Sequence, residues 1–404
     1  MSDLQREPAI RAGDEISLNK QLVFGLQHLF TMFGATVLVP ILTGLNISVA
    51  LFTAGVGTLF FHWVTKGKVP VFLGSSFAFI AALQLVIKEH GLGAAQGGII
   101  AAGLVYLGVA ALVYFVGPGI LHRLFPPIVI GPVIAVIGLS LAPVAIKMST
   151  GNWGLAIFSL SIVVSVSMFF KGFFKMVPVL FGLAGGYLAA LVFGLVDFTP
   201  IQEAAWLAVP PFTWPTFNLA AIAIMAPIAI ATAVEHFGDI MAVGTTVEND
   251  FVKDPGLHRT LIGDGIATAI AGFFGGPANT TYSENTGVLA LTRVWHPVIM
   301  RWAAVLAIGI AFVQKIGGFI STIPTAVVGG IAIILFGMIA AIGVRTVVEN
   351  KVDMSKSRNL IVSSVIFVLG IGGAAFNLGG GVKFEGIGLA AIVGILLNQL
   401  LPQE

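Results

Sequence analysis

The chain has 404 residues, of which 57% are hydrophobic and 9% charged, against roughly 25% charged in an ordinary soluble protein, so a soluble fold of this size is excluded. Twenty Lys and Arg against eighteen Asp and Glu leave a net charge of +2, too small a surplus to hold a polyanion, and no nucleic acid partner is expected. The absence of cysteine excludes disulfides, thiolate metal sites and cysteine nucleophiles.

Residues 1–19 are polar and carry Arg6, Arg11, Asp14 and Glu15 rather than an apolar run ahead of a cleavage site. They read as a cytoplasmic tail and not as a signal peptide. Apolar stretches able to cross about 30 Å of hydrocarbon as helix follow near 20–44, 47–65, 70–87, 95–117, 126–146, 153–170, 175–196, 218–243, 260–275, 279–293, 298–317, 323–344, 359–375 and 386–401. The fold class is therefore an all-α polytopic membrane protein with about fourteen transmembrane segments. Lys and Arg concentrate in cytoplasmic loops. With a cytoplasmic N-terminus and that crossing number, only Lys88, Lys147, Lys315 and Lys383 of the twenty basic residues fall outside, which also predicts a cytoplasmic C-terminus. The outer loop from Asp197 to Thr216 carries Trp206 and Trp214, as an interfacial aromatic belt would.

The run from Phe125 to Gly131 lines up with Ile323 to Gly329, with Pro126, Val129 and Gly131 matched by Pro324, Val327 and Gly329 at an offset of 198 residues. These runs open the fifth and twelfth spans. An offset of seven spans is odd, so the two halves would be inverted relative to each other, as in secondary transporters. The third span of each half is interrupted, by Gly74-Ser75-Ser76 in one and by Gly275 to Thr281 before the other. Paired broken spans point to a binding site near the bilayer midplane.

Four carboxylates fall inside spans: Glu235 and Asp239 in the eighth, Asp264 in the ninth and Glu284 in the tenth, with no Lys or Arg at comparable depth. Each charged carboxylate at the bilayer centre costs roughly 2.5–3.5 kcal/mol. Burial without a cation favours the protonated form, which suits proton coupling. Glu235 and Asp239 are four apart and share a helix face, with His236 pointing elsewhere. Asp264 sits about one turn into its span, where capping and coupling both stay open. His28 reads equally as packing bridge or site residue, and His62 as interfacial. No HExxH, GxSxG or Walker loop is present, so an intramembrane enzyme finds no nucleophile with its base.

The run Glu284-Asn285-Thr286-Gly287-Val288-Leu289-Ala290-Leu291-Thr292-Arg293 resembles the signature of the nucleobase-ascorbate transporter family, the nucleobase:cation symporters. Gln27-His28-Leu29-Phe30, Phe33 to Pro40, Gly74 to Phe79, Glu235-His236 and Asn279 to Tyr282 resemble further family motifs, so the likeness runs from about residue 20 to the end. The resemblance implies a 7+7 inverted repeat with short strands in the broken third and tenth spans. It also implies a core domain (20–117 and 218–317) and a gate domain (118–217 and 318–404) behind the 1–19 tail. Glu235 and Glu284 would hold the base through their carboxyls, main-chain N–H groups of Phe77 and Ser283 would donate to its carbonyls, and Ala35 and Tyr282 would line the pocket. Ser76, His28 and Asn285 would support the site, and Glu235, Asp239 and Asp264 would couple the proton. Glu at the first signature position resembles uracil-type members, because xanthine and purine carriers usually have Gln there. Three departures stand against this: Asp239 where the uracil type has His, Asp264 where it has Asn, and Phe336 where it has Tyr. The expected protein is a homodimeric, proton-coupled uracil importer of the inner membrane, surrounded by lipid, with no cofactor or metal. A xanthine-type symporter is the alternative, and an enzyme acting on a bound base is the competing class.

Overall fold

The computed structural model describes residues 9–379 and 382–402; residues 1–8 of the expected tail lie outside the described residues. Helices α1 (Leu18–Thr43) and α2 (Ile47–Val64) turn at Gly44, whose φ of 77° ends α1 in the left-handed conformation. After α2 comes a three-residue strand, β1 (Leu73–Ser75), then a 3-10 turn at Phe77–Phe79 and α3 (Ile80–His90). Next come α4 (Leu92–Val116), α5 (Gly119–Leu124), α6 (Pro127–Ser140), α7 (Ala142–Ser149), α8 (Trp153–Phe169), α9 (Pro178–Val192) and α10 (Thr199–Glu203). The second half holds α11 (Leu219–Met225), α12 (Ile228–Thr246), α13 (Leu257–Phe274), β2 (Asn279–Thr281), α14 (Ser283–Thr292), α15 (Val298–Ala311), α16 (Gln314–Ser321) and α17 (Thr325–Glu349). It ends in α18 (Ser357–Ile371), β3 (Ala375–Gly379), β4 (Val382–Glu385) and α19 (Gly386–Leu400).

Local chemistry sets several of these boundaries. Asn46, Asn152 and Asn218 each accept the N–H three residues on, at 3.1 Å, and so cap α2, α8 and α11; such a cap is worth about 1 kcal/mol. Pro227 divides α11 from α12, since proline lacks the N–H that a continuous helix needs there. Among the described residues six stretches are long and apolar enough to cross a membrane (α1, α2, α4, α6 with α7, α11 with α12, and α17), and a seventh if α15 and α16, bent by 81°, count as one span. The remaining expected segments are shorter or interrupted, and the breaks within the eighth and eleventh were not expected.

Two sets of helices can be distinguished by packing. In one, α13 lies along α4 and α2, and α15 lies along α2 and α1. In the other, α17 packs on α6, α7 and α8, while α18 packs on α6 and α19. Helix α12 stands between them, touching α4 and α13 on one side and α6 and α19 on the other. The polar segment after residue 8 straps across the end of α14. Ile10 pairs in parallel with Val294, and Arg11 reaches Glu248 at 2.5 Å while its guanidinium lies over the Trp295 ring. Trp206 and Trp214 are exposed. His62 is buried rather than interfacial, because Nε2 lies 2.9 Å from the Val71 carbonyl, freed by the irregular backbone ahead of β1.

Candidate functional site

Strands β1 and β2 pair antiparallel with Leu73 opposite Thr281, Gly74 opposite Thr280 and Ser75 opposite Asn279. The pairing continues through Ser76 N–H to the Ala278 carbonyl at 2.8 Å and Tyr282 N–H to the Phe72 carbonyl at 3.1 Å. Non-helical backbone at membrane depth must satisfy itself in this way. Gly74 is required here, because a Cβ would run into the Tyr282 ring. The Tyr282 hydroxyl donates to the Ser75 carbonyl at 3.0 Å and receives the Thr36 hydroxyl at 3.2 Å, which ties α1 to both strands.

Each strand leads directly into a helical N-terminus, at Phe77 on one side and Ser283 on the other. The first N–H groups of such a turn have no intrahelical partner. Both termini border a cavity of about 110 Å³, whose other walls include Glu235, Thr281, Tyr282, Glu284, Leu335 and Ile339. Phe336, in α17 behind this wall, turns its ring edge-on to Phe77 at 6.2 Å. The cavity shares Glu284, Leu335 and Met338 with a vestibule of about 610 Å³ that runs between α1, α9 and α14 toward Lys175. A separate pocket of about 310 Å³ meets the cavity at Ala78 and extends to Ile224, Glu385 and Ile387.

Most of the expected site residues come together. Glu235, Glu284, Phe77, Ser283 and Tyr282 line the small cavity, while Ala35 lines the vestibule below it. Asp239 stands beside the cavity and is held in place, with Oδ2 accepting from Thr281 at 2.7 Å and Oδ1 from Ser283 at 2.6 Å. His28 and Asn285 are buried against each other, Nδ1 to Nδ2 2.9 Å apart, and brace α1 against α14 without reaching the cavity. The Ser76 hydroxyl is buried and also stays outside it. Asp264 does not line the cavity either. It lies about two turns into α13 and is fully buried, which removes the capping role: Oδ2 is 3.0 Å from Nδ1 of the equally buried His236. No Lys or Arg among the described residues pairs with any of these carboxylates. Residue-type reasoning missed Thr281 and His236. Both lie inside motifs that were visible, but only the Gly263-Asp264-Gly265 run hinted that α13 comes close enough for the His236 contact.

The fold defines a polytopic membrane-type protein with a small cavity enclosed between interrupted helices. The model of the Permease family matches residues 19–379, and the chain belongs to that family, as its motifs led one to expect. It is 50% identical over 393 residues to the "Probable uracil permease" of Pasteurella multocida, covering 95% of this chain and 94% of that one. It is 46% identical over 400 residues to the uracil permease of Bacillus subtilis, covering 94% and 92%. The fold resembles the transmembrane domain of a cyanobacterial bicarbonate transporter, BicA, with a TM-score of 0.68 at 16% identity over 96% of this chain and all (100%) of that one.

Proposed function

We propose that this protein is a proton-coupled symporter that imports a nucleobase, uracil in the first place, across the cytoplasmic membrane by alternating access. The observation that carries the reading is the convergence of Glu235, Glu284 and the two helical N-termini at Phe77 and Ser283 on one cavity of about 110 Å³. Carboxylates accept from the ring N–H groups of uracil, and main-chain N–H groups donate to its carbonyls. Relatives named uracil permease, at 46% identity in Bacillus subtilis and 40% in Escherichia coli, support that cargo.

In this mechanism a proton arrives from the outer face and neutralises a carboxyl of the Glu235 and Asp239 group, with Asp264 nearby. Uracil then binds between the broken spans. Rocking of the core (20–117 and 218–317) against the gate (118–217 and 318–404) exposes the site to the cytoplasm, where both leave. One proton with a neutral base carries one charge, about 2.3 kcal/mol per 100 mV, enough for roughly fortyfold accumulation. The two packed sets of helices support the core and gate division. Fourteen crossings in a 7+7 inverted repeat are supported by α6 and α17, which both start after a proline N-cap, at Pro126 and Pro324. These helices run antiparallel: Gly131 packs at Gly343 and Val347, but Gly138 at Phe336 and Ala340. The vestibule toward Lys175 supports an inward-open state, since the distribution of basic residues supports a cytoplasmic side for that end and for both termini. The family resemblance supports a homodimer.

Uptake of labelled uracil into proteoliposomes, with and without an imposed proton gradient, tests the reading. Gradient-driven accumulation is expected; uptake indifferent to the gradient leaves a facilitator. Accumulation of labelled xanthine under the same gradient, with none of labelled uracil, would transfer the assignment to a purine-type carrier, for which the carboxylates at Asp239 and Asp264 are the argument.

A further inference from the structure

Behind the cavity, on the face of α12 turned away from it, lies a second polar group that contact with a substrate does not explain. His236 is fully buried, with Nδ1 3.0 Å from Oδ2 of the fully buried Asp264. Four helices meet at this point. The Phe61 ring of α2 and the Tyr106 ring of α4 stand edge-on to the imidazole, with centroids 6.3 and 6.5 Å away. Asp264 reaches the junction because glycines flank it. A Cβ at Gly263 would come within 2.8 Å of the Phe61 ring, and one at Gly265 within 2.7 Å of Tyr106 Cβ. A carboxylate at this depth is costly unless it is paired, and His236 is the one basic group at ion-pair distance from Asp264 among the described residues.

Successive residues of an α-helix are turned by about 100°. With His236 directed at α13, Glu235 is presented to the cavity and Asp239 to Thr281 and Ser283. An apolar interface slides at little cost, whereas parting a buried imidazole from a buried carboxylate leaves an uncompensated polar group on each side. We propose that His236 is a positioning residue: its contact with Asp264 fixes the rotation of α12 and thereby sets the Glu235 carboxylate against the cargo. This rests on the nucleobase reading of the cavity.

The test uses the full chain as His236→Gln, His236→Phe, Asp264→Asn and the double variant His236→Phe with Asp264→Asn. Thermal unfolding of the purified apo protein involves no uracil, so it probes the pair separately from the transport reading. The double variant is expected to lose less than the sum of the two single losses. In uptake, His236→Phe is expected to raise KM for uracil roughly tenfold or more, the scale on which small misplacements act. His236→Gln, which keeps a side-chain donor, stays near the wild-type KM. A merely structural role would lower the amount of folded protein, and with it Vmax, and leave KM alone. Additive unfolding losses, or a wild-type KM in His236→Phe, overturn the proposal. Should His236→Phe not fold, the KM comparison passes to Asp264→Asn, where an unchanged KM overturns it equally.

Discussion

Glu235 and Glu284 reach the same cavity from different helices, α12 and α14, and neither pairs with a Lys or Arg among the described residues. Ionised, Glu284 is an acceptor and nothing else, so changing it to an amide removes the charge and turns one acceptor into a donor. Glu284→Gln is expected to weaken uracil binding by about 1.5–3 kcal/mol, roughly tenfold to a hundredfold in Kd; equilibrium binding on the purified protein checks this, and an unchanged Kd removes Glu284 from contact with the base. Asp239 differs in having both oxygens occupied by the Thr281 and Ser283 hydroxyls. Asp239→Asn cannot accept from both as well. Its uptake is expected to lose most of the pH dependence of the wild type, and an unaltered pH profile would leave Asp239 a structural brace.

Among the elements, the three-residue strands carry the greatest constraint for their length. The β1 and β2 pair has Gly74 directly over the Tyr282 ring, and the ring hydroxyl then closes back on Ser75. Gly74→Val places two methyls where the ring lies. Overpacking of this kind costs about 1–3 kcal/mol, and uracil is expected no longer to raise the unfolding temperature of the variant, since Phe77 and Tyr282 are both displaced. Wild-type stabilisation by uracil in Gly74→Val would show that the strand crossing does not set the cavity. The interruptions at Gly74 to Ser76 and at Gly275 to Thr281 were legible in the sequence because glycine, proline and asparagine break an apolar run. That the two breaks pair in register was not legible, since a three-residue strand has too few alternating side chains to specify a partner. The bend between α15 and α16 was missed for a related reason: hydropathy averages over a whole span and is blind to an 81° change of direction within it.

In the whole molecule the cavity lies between a large vestibule, which it joins at Glu284, and a smaller pocket, which it meets at Ala78. The chain has no cysteine, so single cysteines report access without any background to remove. Ala290→Cys, in the vestibule wall, is expected to react faster with an impermeant thiol reagent from the cytoplasmic side than from outside, and uracil is expected to slow it. Equal rates from both sides would contradict an inward-open resting state. The exposed Lys68 and Asp254 pair, 2.6 Å apart, contributes little by comparison. Lys68→Ala is expected to cost about 0–1 kcal/mol and to leave uracil KM unchanged, as thermal unfolding and uptake would show.

The sequence by itself determined the solvent, the family and the scarce carboxylates. Apolar composition leaves no alternative to lipid, and a charged group in an apolar span is too costly to be incidental, so Glu235, Asp239, Asp264 and Glu284 could be singled out one by one. Only the tertiary structure decided which of them share a cavity. It turned Asp264 away from that cavity and onto His236, and it made Ala35 part of the vestibule. The reason is that helix rotation and close approach are set by contacts between segments distant in the chain. Gly263 and Gly265 announce that something packs closely there, but that the neighbours are Phe61 and Tyr106 follows only once four helices have met.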